Sequence, residues 1–334
     1  EVTLDSVMKT HLRNHPPASN KTESIKHHFS LVRAKDIIST PSEDIGWLWE
    51  NILPAGGLSL VVAKPKVGKT TFSFNLAIAT SRGDDFLGRK TKKGAVVYLA
   101  LEEHRKQFES NLSKRGIDEE PLSFHFGPAP VEAIKEVEPL IQETGAKLLV
   151  IDVLQKFCRV RDLNDYAQVT RALEPLMATA RQLDCHIQLI HHAGKRDRPD
   201  GDDILGSTGL LGGVDTSIHL KRRSERRTFF TIQRYGEDVH ETVIALREDG
   251  SLEAMGGREE VEIQEICPLI LDAMKEGALS EKEIGEYVER NRNLISKALR
   301  RLLEEGAIKR SGSGKRGDPF RYENSLLLYS DTIE

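Results

Sequence analysis

The stretch Leu60-Val-Val-Ala-Lys-Pro-Lys-Val-Gly-Lys-Thr-Thr71 constrains this chain more than any other. Apolar β-formers run up to Ala63, a short loop follows, and Phe72-Ser-Phe-Asn-Leu-Ala-Ile-Ala79 has a helical pattern. A buried strand turning through such a loop into a helix is a P-loop, whose backbone N–H groups and positive helix end cradle phosphate oxygens. The nucleotide-binding candidates are Ala63, Lys64, Pro65, Lys66, Val67, Gly68, Lys69, Thr70 and Thr71. Lys69 is placed to reach the β- and γ-phosphates, and the Thr70 hydroxyl to ligate Mg²⁺. Ala63 stands where the motif usually begins with Gly; a small residue suffices there, because Gly68 remains where the backbone approaches phosphate. The expected cofactors are ATP and Mg²⁺.

A chain of 334 residues suggests two domains at about 150 residues each. With 38% hydrophobic and 30% charged residues it reads as soluble and globular. Its longest apolar run, Leu58–Ala63, has strand length and excludes a helical membrane span. Three widely spaced cysteines (Cys158, Cys185, Cys267) exclude a disulfide framework or paired-cysteine zinc site, and suit a reducing cytoplasm. A start at Glu1 rather than Met leaves room for a further, primase-like domain upstream.

Residues 1–30 are polar and aperiodic, and read as a mobile arm or linker. Residues 31–255 alternate apolar runs with helical patterns. Leu58–Ala63, Ala95–Ala100, Leu148–Val153 and Ile187–His191 read as strands buried on both faces, hence a doubly wound, mostly parallel α/β sheet. Thr228–Gln233 and Glu241–Leu246 are expected as strands towards one edge. After Met255-Gly-Gly the pattern changes, so residues 256–334 form a second, smaller domain.

A Mg²⁺-nucleotide site needs an acid at the end of a second buried strand, and Lys147-Leu-Leu-Val-Ile-Asp152 supplies one. Asp152 is the expected metal holder. Hydrolysis also needs a group that deprotonates water; Glu102, at the end of the Ala95–Ala100 strand, is preferred over Glu103.

These residues, with Gly46-Trp-Leu-Trp49, Ile52 to Ser59, Cys185 to Lys195, Gly206-Ser-Thr-Gly209 and Val214-Asp215, resemble the RecA/DnaB-type ATPases. Within that group the chain is most similar to the RepA-like hexameric helicases of plasmids and mobile elements. The resemblance implies that His191, with His192 as neighbour, senses the γ-phosphate. It also implies that Arg234, in Phe230-Thr-Ile-Gln-Arg-Tyr-Gly236, completes the next subunit's site in trans, as part of a homo-oligomeric ring. Ile232 stands where other members carry a Lys, and Lys195 is a conjectural substitute.

In RecA-type rings two loops face the pore. Here they carry Lys156, Arg159 and Arg161, and Lys195, Arg196 and Arg198, as candidates for single-stranded DNA. The carboxyl-terminal segment resembles a winged helix. A helix over Leu269–Lys275 is expected after Pro268, then a capping box Ser280-Glu-Lys-Glu283 opening Glu281–Val288. Asn293–Glu305 would be the recognition helix, with Lys297, Arg300 and Arg301 outward and a basic wing carrying Lys315 and Arg316. Arg290 to Tyr322 holds ten Lys/Arg against three Asp/Glu in a chain of net charge −4, an electrostatic footprint for duplex DNA.

The expected function is a Mg-ATP-dependent DNA motor in replication of a plasmid, phage or mobile element. Two alternatives stay open: a non-translocating ATPase serving as loader, recombination mediator or transposition regulator, and a nucleotide-gated DNA-binding regulator.

Overall fold

The computed structural model describes residues 31–39, 45–158, 166–192, 208–223 and 226–325. The expected arm over residues 1–30 lies outside them. Contacts divide the chain at Asp44 and Ile45. In the first unit a single short helix, α1 (Ala34–Ser39), is described and buries none of its residues.

The second unit is organised around a nine-stranded sheet. In chain order its elements are β1 (Trp47–Trp49), β2 (Leu53–Pro54), β3 (Leu58–Ala63), α2 (Lys69–Arg82), β4 (Ala95–Ala100), α3 (Arg105–Lys114), β5 (Leu122–Phe126) and α4 (Ala133–Thr144). There follow β6 (Ala146–Asp152), α5 (Leu154–Cys158), α6 (Tyr166–Leu183), β7 (His186–His192), α7 (Thr208–Gly212), β8 (Thr216–Arg223), β9 (Arg226–Gln233), β10 (Thr242–Leu246) and β11 (Leu252–Gly257). The strand order is β11-β10-β9-β8-β3-β7-β6-β4-β5; β1 and β2 pair separately. From β8 to β5 all neighbours are parallel, and β9 to β11 extend the β8 edge antiparallel. This is a RecA-like α/β fold, as expected.

The apolar runs explain the two-layer cover. In β3, Val61 and Ala63 join a cluster with Phe72, Leu76 and Phe74 of α2, while Leu58, Leu60 and Val62 join one with Leu173 and Leu176 of α6. Alternate residues of a strand point to opposite faces, so a run without polar breaks needs a helix on each side.

From Arg258 the chain forms α8 (Arg258–Ala273), β12 (Leu279–Ser280), α9 (Glu281–Val288), α10 (Arg292–Glu304), β13 (Ile308–Ser311) and β14 (Arg321–Asn324). The strands make an antiparallel sheet of order β12-β14-β13. Ile266, Ile270, Ile284, Leu294, Ile295, Leu299 and Tyr322 are part of its own apolar core. The capping box opens α9 as expected, and the Asn291 side chain caps α10 by accepting from the Leu294 N–H at 2.9 Å.

One helix expectation is corrected. The helix expected from Leu269 begins at Arg258 and runs through Pro268. Pro268 is exposed, as are Pro139 in α4 and Pro175 in α6, so water can serve each carbonyl that lacks its N–H partner. Burial of Val261, Ile263, Ile266 and Ile270 along the other side sustains α8. The helix after β4 starts at Arg105, which leaves Glu102 and Glu103 in a bend beyond the strand. Among the described residues no helix is long and apolar enough to cross a membrane.

Candidate functional site

Lys64 to Gly68 turn the chain from β3 into α2, and Gly68 does so at φ +116°, a conformation that strains any side chain. Lys69, 6% exposed, donates from Nζ to the Ala63 carbonyl at 3.0 Å and the Lys64 carbonyl at 3.2 Å. Its ammonium thus lies along the inside of the loop. Burial holds its pKa below that of a free lysine, against the opposing pull of Asp152 and Glu102.

Asp152 ends β6 beside this loop and is 2% exposed. Its Oδ2 accepts from the Thr70 hydroxyl at 2.9 Å and from the Tyr98 hydroxyl at 2.8 Å. Burial raises the carboxyl to about 6, with Glu103 and Glu102 adding to the rise and the two hydroxyls opposing it. A hydroxyl and a carboxylate at this separation are hard oxygen donors suited to Mg²⁺, which takes few protein ligands where phosphates supply the rest. No group of three or more His, Cys, Asp or Glu among the described residues forms an all-protein metal cage.

Glu102 lies at the same sheet edge, its Oε2 3.9 Å from His192 Nε2 and its Oε1 4.0 Å from Lys156 Nζ. Glu103 acts with it on Asp152, and on Tyr98 as well. Lys156, expected on a DNA loop, stands at the nucleotide edge.

The sensing role expected on His191 meets a correction of register. His192 is paired with Ala63 and shares the P-loop face, whereas His191 is paired with Val62 and buried in the opposite layer. Burial, then the charge of Lys69, lowers the His192 pKa, while Glu102 raises it. Its buried Nδ1 has no hydrogen-bond partner among the described residues.

Arg234 follows β9 and is held within its own chain. Its Nη1 lies 3.1 Å from Asp215 Oδ1, its Nη2 donates to the Gly212 carbonyl at 3.1 Å, and its N–H donates to the Asp215 carbonyl. The other Asp215 oxygen accepts from the Leu58 N–H at the start of β3. Arg234 therefore sits at the sheet edge opposite the P-loop, a strand length of about 17 Å away. It cannot reach its own nucleotide.

From the sequence Arg227 of β9 reads only as part of the basic cluster Lys221–Arg227 at a hairpin tip, where exposed charge is ordinary. A Cβ built on Gly68 would lie 3.6 Å from the Arg227 Nε, so this cation, not Arg234, stands on the chain's own P-loop. The repeated basic residues of Lys221–Arg227 masked it.

Of the duplex-DNA candidates, Lys297 is ion-paired with Glu259, and Arg301 with Glu260 and Glu305. Arg300 is exposed, as are Lys315 and Arg316 between β13 and β14. Arg258 to Ser325 holds thirteen Lys/Arg against fourteen Asp/Glu, so the basic stretch from Arg290 is offset by the acids of α8 and α9. Arg159, Arg161, Lys195, Arg196 and Arg198 lie outside the described residues.

No curated protein matches this chain. The family model of the AAA domain matches residues 22–198, a span that holds the P-loop, Glu102, Asp152 and His192. Matched over more than half its length, the chain belongs to the AAA domain family and is a P-loop, nucleotide-hydrolysing ATPase.

Proposed function

We propose that this ATPase is a DNA motor of the RepA/DnaB-like helicase type, acting in replication of a plasmid, phage or mobile element. The observation that carries the reading is the convergence of Lys69, Thr70, Asp152, Glu102 and His192 on one edge of a RecA-like sheet. Lys69 binds the phosphates, and Thr70 and Asp152 hold the metal. Bound Mg²⁺ would neutralise charge on the β- and γ-phosphates. Glu102 takes the proton from the attacking water. His192, beside Glu102 at the end of β7, relays phosphate occupancy to the loop beyond the strand.

In this reading the protein works in the cytoplasm as a homo-oligomeric, hexameric ring, with Arg234 acting on the neighbour's ATP. Single-stranded DNA runs past Lys156, Arg159, Arg161, Lys195 and Arg196. The helix–turn–helix of α9 and α10 with the β13–β14 hairpin supports a winged helix that docks duplex through Lys297, Arg300, Arg301, Lys315 and Arg316.

The test is steady-state ATPase activity with no DNA, single-stranded DNA and duplex, together with strand displacement on a fork. Stimulation by single strands with displacement is expected. Stimulation without displacement would favour the loader or regulator, a second reading supported by the ion pairs that already occupy Lys297 and Arg301.

A further inference from the structure

We infer that Tyr98 is a positioning residue that confines Asp152 to offering the metal a single oxygen. The site thereby favours Mg²⁺ over the larger Ca²⁺. The inference rests on the reading of Thr70 and Asp152 as the metal-binding pair. Tyr98 is fully buried in β4, where it is paired with Val150 of β6, the strand that Asp152 ends. Its hydroxyl donates to Asp152 Oδ2 at 2.8 Å, and the Thr70 hydroxyl donates to the same oxygen at 2.9 Å. A carboxylate oxygen has about two lone-pair sites, so these two donors fill Oδ2. Among the described residues no hydrogen bond reaches Oδ1.

The tyrosine ring cannot turn aside to release that oxygen. It packs edge-on against Phe74 of α2 and Phe108 of α3 and is tilted against Phe124 of β5, with centroids 6.4, 5.2 and 5.8 Å away. The Thr70 hydroxyl can go on donating to Oδ2 while its own lone pair meets a metal. Mg²⁺, small and octahedral, needs one carboxylate oxygen; Ca²⁺ takes about 6–8 oxygens and accepts both from one carboxylate. Two-oxygen binding at Asp152 requires the Tyr98 bond to break, and no other described residue accepts from that hydroxyl. The cost falls on Ca²⁺ and not on Mg²⁺.

The test is calorimetry on the full chain with a non-hydrolysable ATP analogue, in the presence of Mg²⁺, of Ca²⁺, and of a chelator in place of metal. Tyr98→Phe keeps the ring and its packing and removes only the donor. Its preference for Mg²⁺ over Ca²⁺, the ratio of the two analogue affinities, should fall by at least about tenfold, the worth of one hydrogen bond to a charged group. Metal-free affinity should be unchanged, which shows at the same time that the variant's P-loop is folded. In an Asp152→Ala background the same substitution should leave the ratio where it was. An unaltered ratio in the single variant overturns the inference. So does an equal weakening with both metals and with none, as loosened packing would produce, or a shift that persists without Asp152. A native chain that binds the analogue equally with metal and with chelator would sink the reading of Thr70 and Asp152 as a metal pair, an outcome recognisable before any variant is made.

Discussion

Thr70 and Asp152, 82 positions apart in sequence, meet at 2.9 Å through Oγ1 and Oδ2, and the Tyr98 hydroxyl holds the same carboxylate oxygen at 2.8 Å. Two hydroxyl donors do not compensate for burial of the charge, and the carboxyl titrates at about 6 instead of 3.8. The raised value means that the folded state binds more protons than the unfolded state between these two pH values. The contribution of this carboxyl to stability is therefore greatest below about 4 and falls as pH rises to about 6.

Asp152→Asn should remove that dependence. It keeps an acceptor for Thr70 and Tyr98 and cannot ionise. Without metal, urea unfolding at pH 7 should find the variant more stable by about 2–3 kcal/mol, and the gap should close by pH 4. Parallel stability curves for the two proteins would refute the buried carboxylate. With Mg²⁺ and ATP the variant should lose activity, because it lacks the charge proposed to hold the metal.

Glu102 and Glu103 separate by partner. Both charges act on Asp152, but Glu102 also faces His192 and Lys156 and acts on Lys69, whereas Glu103 acts on Tyr98. Glu102→Gln should keep ATP affinity and lower single-turnover hydrolysis by roughly 10²–10⁴-fold, the range for loss of a general base. Glu103→Gln should stay within several-fold of native. The reverse ranking would move the base by one residue.

The histidine pair divides in the same way. His192→Asn should reduce DNA-stimulated turnover while the melting temperature holds. His191→Ala should instead lower stability by roughly 1–3 kcal/mol, as truncations of buried side chains do, with the activity of the folded fraction preserved. Loss of turnover in His191→Ala at unchanged stability would restore the sensing role to that residue.

How far the sequence could be read follows from what each residue's role depends on. The P-loop and Asp152 were legible because strand, loop and helix are contiguous, and β3 and β4 fell on the expected bounds. β8 was not read as a strand. It is central in the sheet, yet Thr216, Ser217 and His219 are polar and almost fully buried. Their partners are the Ile52 carbonyl for Thr216 and each other for Ser217 and His219, and hydropathy cannot foresee such pairs. The choice between His191 and His192 depends on register against Ala63, a one-residue matter that flips the face. Arg227 was hidden among like charges, since only the fold distinguishes a hairpin cation that meets solvent from one that meets Gly68.

The α8 acids govern how the proposed duplex site behaves. Glu259 and Glu260 occupy Lys297 and Arg301, so DNA must compete for two of the five proposed contacts. The paired substitution Glu259→Gln with Glu260→Gln should raise duplex affinity and steepen its salt dependence by up to about two charges, with basal ATPase unchanged. Charge reversal at Arg300, which is exposed, should weaken duplex binding. If neither change alters duplex affinity, α10 is a protein-docking surface.

Arg234 and Asp215 make the ring hypothesis testable in one chain. Arg234 is at the edge opposite its own Lys69, so any action on ATP is on a neighbour's, and there its guanidinium must leave Asp215. Arg234→Ala removes the nearer cation from a carboxylate only 3% exposed, leaving Arg181 at 3.9 Å and the Leu58 N–H. Because Arg234 itself is 44% exposed, the stability loss should be modest, about 1–2 kcal/mol rather than that of a fully buried pair. Its activity should fall far more, and mixing with Lys69→Ala subunits should restore part of it, since each variant supplies what the other lacks at a shared interface. The stability loss alone would appear in either case. No restoration at any mixing ratio would leave Arg234 as the structural partner of Asp215 and nothing more.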